Sequence, residues 1–239
     1  IVFGVGVSLF AINPALPLIV AGVVVIISNL ITVFGVKEDR SHMTKASSKI
    51  SFDFLKNVSA MKVFMTAFFL YLAYGLIMPY WLPYFEKANG FTSNDISLAL
   101  VGFTVVGLIL SVFIGMLCDR YNKQVILFIV CVIYFIGFLV GMFVMNLGML
   151  WGFTIIFGLG FAVFQVVFYA LIPAVAPKER LGEYMGINNV FLCIPQIIGN
   201  LVAGSLMSSD MHLIFPLALI SIVVAALICG IGKMKFINE

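Results

Sequence analysis

The 239-residue chain is 63% hydrophobic and only 10% charged, with a formal net charge of +3 and a mean hydropathy of +1.21. Charged residues normally make up about a quarter of a soluble chain, so the composition excludes a soluble globular protein and points to an all-α, polytopic membrane protein. The slight basic excess implies no nucleic-acid partner, because the basic residues sit between the apolar runs.

Residues 1–12 are apolar from Ile1 onward, with no Met and no basic stretch ahead of them. This is not the pattern of a signal peptide; it reads as the tail of a helix in a fragment whose upstream part is missing. Asn13-Pro14-Ala15-Leu16-Pro17 predicts a turn, since a residue before proline avoids the helical region. A membrane span needs about 20 mostly apolar residues. Full spans are expected at 16–36, 61–84, 96–118, 124–146, 149–174, 184–207 and 212–232.

The longest polar stretch, 37–60, holds Lys37, Arg40, Lys45, Lys49 and Lys56 among Ser and Thr residues. It predicts a solvated linker in contact with anionic lipid head groups. It also marks a boundary, since something ends at Val36 and six helices follow as a unit. Strict alternation places 37–60, 119–123, 175–183 and the C-terminus on one side of the membrane. Twelve of the 13 Lys and Arg residues fall there or at its edges, against Lys87 alone opposite. By the positive-inside rule that side is cytoplasmic, and a plasma-membrane location is expected.

The span at 61–84 puts Tyr71, Tyr74, Met78 and Trp81 on one broad face; Tyr80, Trp81 and Tyr84 also suit an interfacial aromatic belt. In the span at 96–118, Gly107, Ser111 and Gly115 recur every fourth residue and form a packing stripe. That span runs into GMLCDRYNK (115–123). Gly115 and Asp119 share a helix face, Asp119 suits the N-terminus of a facing helix, and Arg120 and Lys123 suit an anionic inner leaflet. The Asp119-Arg120-Tyr121 triplet also fits a seven-helix receptor. Against that reading stand the very short turn after it, the lack of Asn-Pro-x-x-Tyr in the last span, and the extra apolar stub.

The span at 124–146 carries only Cys131, Tyr134 and Asn146 as polar interruptions. The span at 149–174 offers Trp151, Thr154 and the i, i+4 pair Gln165/Tyr169. Its Gly158-Leu159-Gly160 lacks the rest of a phosphate loop and reads as helix packing. The span at 184–207 carries Asn188, Asn189, Gln196 and Asn200, of which Asn189, Gln196 and Asn200 lie within about 40° of one another at 100° per residue. Polar groups in hydrocarbon are costly unless they face the bundle or water, so this stripe is expected to face inward; Asn188 and Asn189 also suit interhelical packing bonds. Pro195 should kink this helix and free a carbonyl. The last span carries little beyond Ser221 and Cys229.

No Asp, Glu, Lys, Arg or His lies mid-span. Cys118, Cys131, Cys193 and Cys229 show no metal-ligand spacing, so neither metal nor cofactor is expected. No His-Glu-x-x-His or Gly-x-Ser-x-Gly sequence is present, so an enzyme is not expected.

GMLCDRYNK resembles the cytoplasmic loop motif of the major facilitator superfamily, which follows the second helix of that fold and recurs, weaker, after the eighth. Here Asn122 stands where glycine is usual and Gln124 where a basic residue is usual, as in the second copy. The resemblance implies a twelve-helix fold entered near its fifth helix. Residues 1–36 would be the tail of helix five and helix six, 37–60 the central loop, and 61–239 the C-terminal six-helix bundle. It implies alternating access by a secondary transporter, with Gly115, Asp119, Arg120 and Lys123 as a cytoplasmic gate and the missing N-terminal half as a necessary partner. EYMGINNVFLCIPQIIGN (183–200) is similar to the helix-eleven region of sugar–cation symporters, through Gly186, Asn189, Ile194, Pro195 and Gln196. That implies a sugar, with proton coupling through a carboxylate in the missing half. Tyr71, Tyr74, Trp81, Trp151, Gln165, Tyr169, Asn189, Gln196 and Asn200 are the candidate cavity residues. A multidrug or other small-molecule exporter of the same superfamily is the alternative within transport.

Overall fold

The computed structural model describes residues 13, 15–35 and 52–234; the side chains of 52, 53, 112, 115 and 117–120 lie outside that description. Every element among the described residues is helical. In hydrocarbon, a segment that spans without a closed barrel must satisfy its own backbone groups, which only a helix does. The chain divides into two compact units, one reaching Ser48 and the other beginning at Lys49.

The first unit contains α1 (Leu16–Gly35). Asn13 starts it: its Oδ1 accepts the Ala15 N–H at 2.9 Å and its carbonyl oxygen accepts the Leu16 N–H at 3.0 Å. The turn expected over 13–17 is therefore shorter, because Pro17 lies in the first helical turn, where a missing N–H removes no intrahelical bond. The polar side chains of α1 bond to their own helix, Asn29 Nδ2 to the Val25 carbonyl at 2.8 Å and Thr32 Oγ1 to that of Ser28 at 2.9 Å. The helical stub expected at 1–12 and the basic residues 37–49 lie outside the described residues.

The second unit opens sooner than the expected loop 37–60 allows. A 3-10 turn, Phe52–Lys56, leads into α2 (Val58–Ile77). Asn57 caps α2 by accepting the Ala60 N–H at 3.1 Å, and its Nδ2 donates to the Val175 carbonyl at 2.9 Å. A 3-10 turn at Met78–Tyr80, with Pro79 inside it, joins α2 to α3 (Trp81–Asn89). Then come α4 (Ser93–Arg120), α5 (Lys123–Met142), α6 (Leu147–Val175), α7 (Leu181–Ser209) and α8 (Ile214–Gly230).

Within this unit α4 packs on α6, α2 on α7 and α8, and α5 on α6 and α8, with lighter contact of α6 with α2 and with α7. The five main pairings map onto themselves when α2 exchanges with α6, α4 with α7, and α5 with α8. Such a relation is what nested repeats of three helices produce. The interior is aromatic: Trp81 stacks on Phe153 at 4.7 Å, and Phe157 meets Phe138 at 5.0 Å and Phe103 at 5.4 Å. A Cβ on Gly158 would stand 2.7 Å from the Phe103 carbonyl oxygen, so α4 and α6 touch backbone to backbone there. The packing role expected of 158–160 is what the geometry holds.

Candidate functional site

The polar groups that the sequence brings forward gather where α2 and α6 meet. Tyr71 is buried, and its Oη donates to Gln165 Oε1 at 2.8 Å. Gln165 is half-buried, and its Nε2 makes no hydrogen bond among the described residues. Aromatic rings hold the pair. Tyr71 lies 5.0 Å from Phe164 and 6.2 Å from Tyr74, and Tyr74 stacks on Phe161 at 5.0 Å. Tyr169, one turn past Gln165 on the same face, is 50% exposed.

Gln165 also lines a groove of about 250 Å³ between α4 and α6, whose walls include Phe103, Thr104, Leu108, Ser111 and Phe161. The hydroxyls of Thr104 and Ser111 donate to carbonyls of their own helix, at 3.1 and 2.8 Å, so each keeps lone pairs for an incoming donor. The exposed lining of the groove is almost wholly apolar, with Gln165, Thr104 and Ser111 as the polar side chains in its walls.

Other expected residues lie elsewhere. Trp81 is 1% exposed and belongs to the aromatic interior, not to an open surface, because Pro79 and the 3-10 turn swing it inward between Phe153 and Phe85. Trp151 is half-buried and packs its ring where a Cβ on Gly102 would stand, 2.6 Å away.

The amide stripe of α7 is not the buried line of that helix within this unit. The buried line of α7 is Asn188, Leu192, Pro195, Gly199 and Ala203, while Asn189 and Asn200 are exposed and Gln196 is half-buried. The cause is close approach: a Cβ on Gly199 would lie 2.7 Å from the Leu72 carbonyl oxygen, and one on Gly75 would lie 2.8 Å from that of Gln196. At these two points only glycine fits. Asn200, with its amide turned to donate, reaches the Gly75 carbonyl at 2.7 Å, so it ties α7 to α2. Asn188 is 1% exposed, with neither amide atom bonded. The helix α7 runs on through Pro195.

Of the expected gate, the side chains of Gly115, Asp119 and Arg120 lie outside the described residues; the backbone of all three is helical, at the end of α4. Lys123 is half-buried at the start of α5, and Tyr121 is exposed. The two departures from the motif both have structural work. Asn122 caps α5 by accepting the Gln124 N–H at 2.9 Å. Gln124 Nε2 donates to the carbonyls of Cys229 at 2.9 Å and Gly232 at 2.8 Å, and its Oε1 accepts the Met234 N–H at 2.8 Å. Asn57 and Gln124 as tertiary tethers were missed in the sequence; their signal was a polar side chain at the very start of a span.

Residues 63–236, most of the second unit, match the family model of the Major Facilitator Superfamily. The chain belongs to the major facilitator superfamily. It is an integral membrane protein whose surroundings are a lipid bilayer, and seven of its described helical stretches are long and apolar enough to cross one. Membership sets aside the seven-helix-receptor reading of Asp119-Arg120-Tyr121. A superfamily relative, an uncharacterized MFS-type transporter of Methanocaldococcus jannaschii, is 33% identical over 153 residues, 63% of this chain and 38% of the relative. The chain thus matches well under half the length of that protein.

Proposed function

We propose that this chain is part of a secondary active transporter that moves a small polar solute, a sugar or disaccharide, by alternating access. The observation that carries the reading is the Tyr71–Gln165 couple. Tyr71 holds the amide oxygen at 2.8 Å, and the Nε2 makes no hydrogen bond among the described residues, so it is left to donate to a solute. Among the described residues no Asp, Glu, Lys, Arg or His lies mid-span, so no such group would balance a charged solute there. An amide donor, hydroxyl acceptors and flat rings suit a neutral polyhydroxylated one.

In this reading residues 61–239 are the C-terminal six-helix bundle, 37–60 the central loop and 1–36 the end of the N-terminal half. The cavity forms against the other half of the protein, as sites between repeats do. Proton coupling would need a carboxylate there, since this unit supplies none in the path. Tyr74, Trp151, Tyr169, Asn189, Gln196 and Asn200 border the cavity. Gly115, Asp119, Arg120 and Lys123 act at the cytoplasmic gate. The walls of Phe103, Leu108, Phe161 and Val166 favour a second reading, an exporter of apolar small molecules.

The test is uptake by the intact protein in proteoliposomes under an imposed proton gradient, with labelled mono- and disaccharides beside a lipophilic cation. The expected result is uptake of a sugar, with Gln165→Ala lowering kcat/KM roughly tenfold, about the worth of one hydrogen bond to solute. Tyr71→Phe should weaken it less. Cation export without sugar uptake would favour the exporter, and sugar uptake untouched by Gln165→Ala would remove Gln165 from the site.

A further inference from the structure

Away from the α2–α6 junction, two hollows adjoin on the opposite side of the unit. The first is a recess of about 630 Å³ at the start of α5 and the end of α8, lined by residues that include Asn122, Gln124, Val125, Lys233 and Met234. The second is a groove of about 380 Å³ between α5 and α8, lined by apolar side chains and Gly230. They share Phe128 and Gly230 as walls. The α5 wall of the groove is Phe128, Cys131, Val132 and Phe135, one stripe at helical spacing.

The two hollows differ in chemistry as the two ends of one molecule do. The groove is apolar and opens on a membrane-embedded surface. The recess adds polar side chains, Asn122, Gln124 and Lys233, to a largely apolar lining, and it lies at the end of the unit where Lys56, Lys62, Lys123, Lys178, Arg180 and Lys233 collect, against Lys87 at the far end. Lys233 is exposed and has no ion-pair partner among the described residues. The α5 N-terminus adds the positive end of a 20-residue helix. Three of the carbonyl oxygens at the negative end of α8 are engaged, those of Cys229 and Gly232 by Gln124 and that of Ile231 by Lys62 Nζ at 2.5 Å, which reduces their repulsion of an anion. No carboxylate lines the recess among the described residues. From Asn122 to Phe135, α5 rises about 20 Å at 1.5 Å per residue. That is about the depth of one leaflet with its head groups.

We infer that the recess and groove between α5 and α8 together form a binding site for one anionic phospholipid, its head group beside Lys233 and the N-terminus of α5 and an acyl chain along Phe128–Phe135. Zwitterionic lipid fits the groove equally but gains nothing from Lys233, so head-group charge sets the preference.

Native mass spectrometry of the intact protein, released from micelles doped equally with phosphatidylglycerol and phosphatidylcholine, tests this. The wild type should retain phosphatidylglycerol about five-fold more, the worth of one basic residue at an anionic surface. Lys233→Glu should abolish the preference, Lys233→Arg should keep it, and Lys87→Ala should leave it unchanged. Val223→Trp, at a 43% exposed position on the groove, should reduce retention of both lipids without disturbing the packed interior. Equal retention of the two lipids by the wild type, or a preference that survives Lys233→Glu, would overturn the site. So would undiminished lipid binding in Val223→Trp.

Discussion

Gln124 is the residue whose meaning changed most. In sequence it marks decay of a loop motif, a glutamine where a basic residue is usual. In the structure its one amide closes three hydrogen bonds onto Cys229, Gly232 and Met234, which capture the chain as it leaves α8. A basic side chain has no acceptor for the Met234 N–H, so an amide is the group that serves both carbonyls and the N–H. Gln124→Ala should therefore release residues 231–234. The expected outcome is faster limited trypsin cleavage after Lys233 and a loss of about 1–3 kcal/mol in detergent unfolding, the range for orphaning buried partners. Cleavage at the wild-type rate would show that the segment is held some other way. The span pattern disclosed the polar residues but not their partners. Asn188 and Asn189 are neighbours in one helix, and periodicity did not say which of them faces α2. That was decided by Gly199 and Ala203, about three and four turns on, whose small size admits the neighbouring helix.

Between helices, the α2–α7 contact shows what holds a bundle together where lipid removes the hydrophobic drive. Association there rests on close packing and on polar bonds between helices. Gly75 and Gly199 interlock so that each helix meets the other's backbone, and the Asn200 amide spans the seam to the Gly75 carbonyl. Gly75→Val should be among the most damaging single changes in the unit. The new side chain meets the Gln196 backbone rather than a movable side chain, and overpacking of this kind costs typically about 1–3 kcal/mol or more. Gly152→Val, where a Cβ meets nothing within 4 Å, is the matched control. Thermal melts in detergent should separate the two, and equal melts would mean that α7 slides to accommodate the valine. The spans themselves were legible because hydrocarbon demands long apolar helices. The break between α2 and α3 was not, since the apolar run continues through Pro79 and only the Met78–Tyr80 turn divides it.

For the whole second unit, order along the chain and charge give the arrangement a direction. The starts of α2, α5 and α7 and the end of α8 lie together, as the bonds from Asn57 to Val175 and from Lys62 and Gln124 to residues beyond α8 require. The basic residues gather at that end; Glu86, Asp95 and Asp210 lie at the other, beside Lys87. Retention of Lys and Arg on the cytoplasmic side of short loops predicts that this end is the cytoplasmic one. Single cysteines at 87 and 233, placed in a background with the four native cysteines replaced, make it measurable with a membrane-impermeant maleimide on intact cells. Lys87→Cys should label from outside, and Lys233→Cys only after permeabilisation. The reverse pattern would turn the unit over and move the GMLCDRYNK turn to the outer face, where Arg120 and Lys123 would meet no anionic leaflet and a cytoplasmic gate at Asp119 would lose its setting. Labelling at 233 also bears on the lipid site, because an anionic head group beside Lys233 is available only if that end faces the leaflet that carries such lipids.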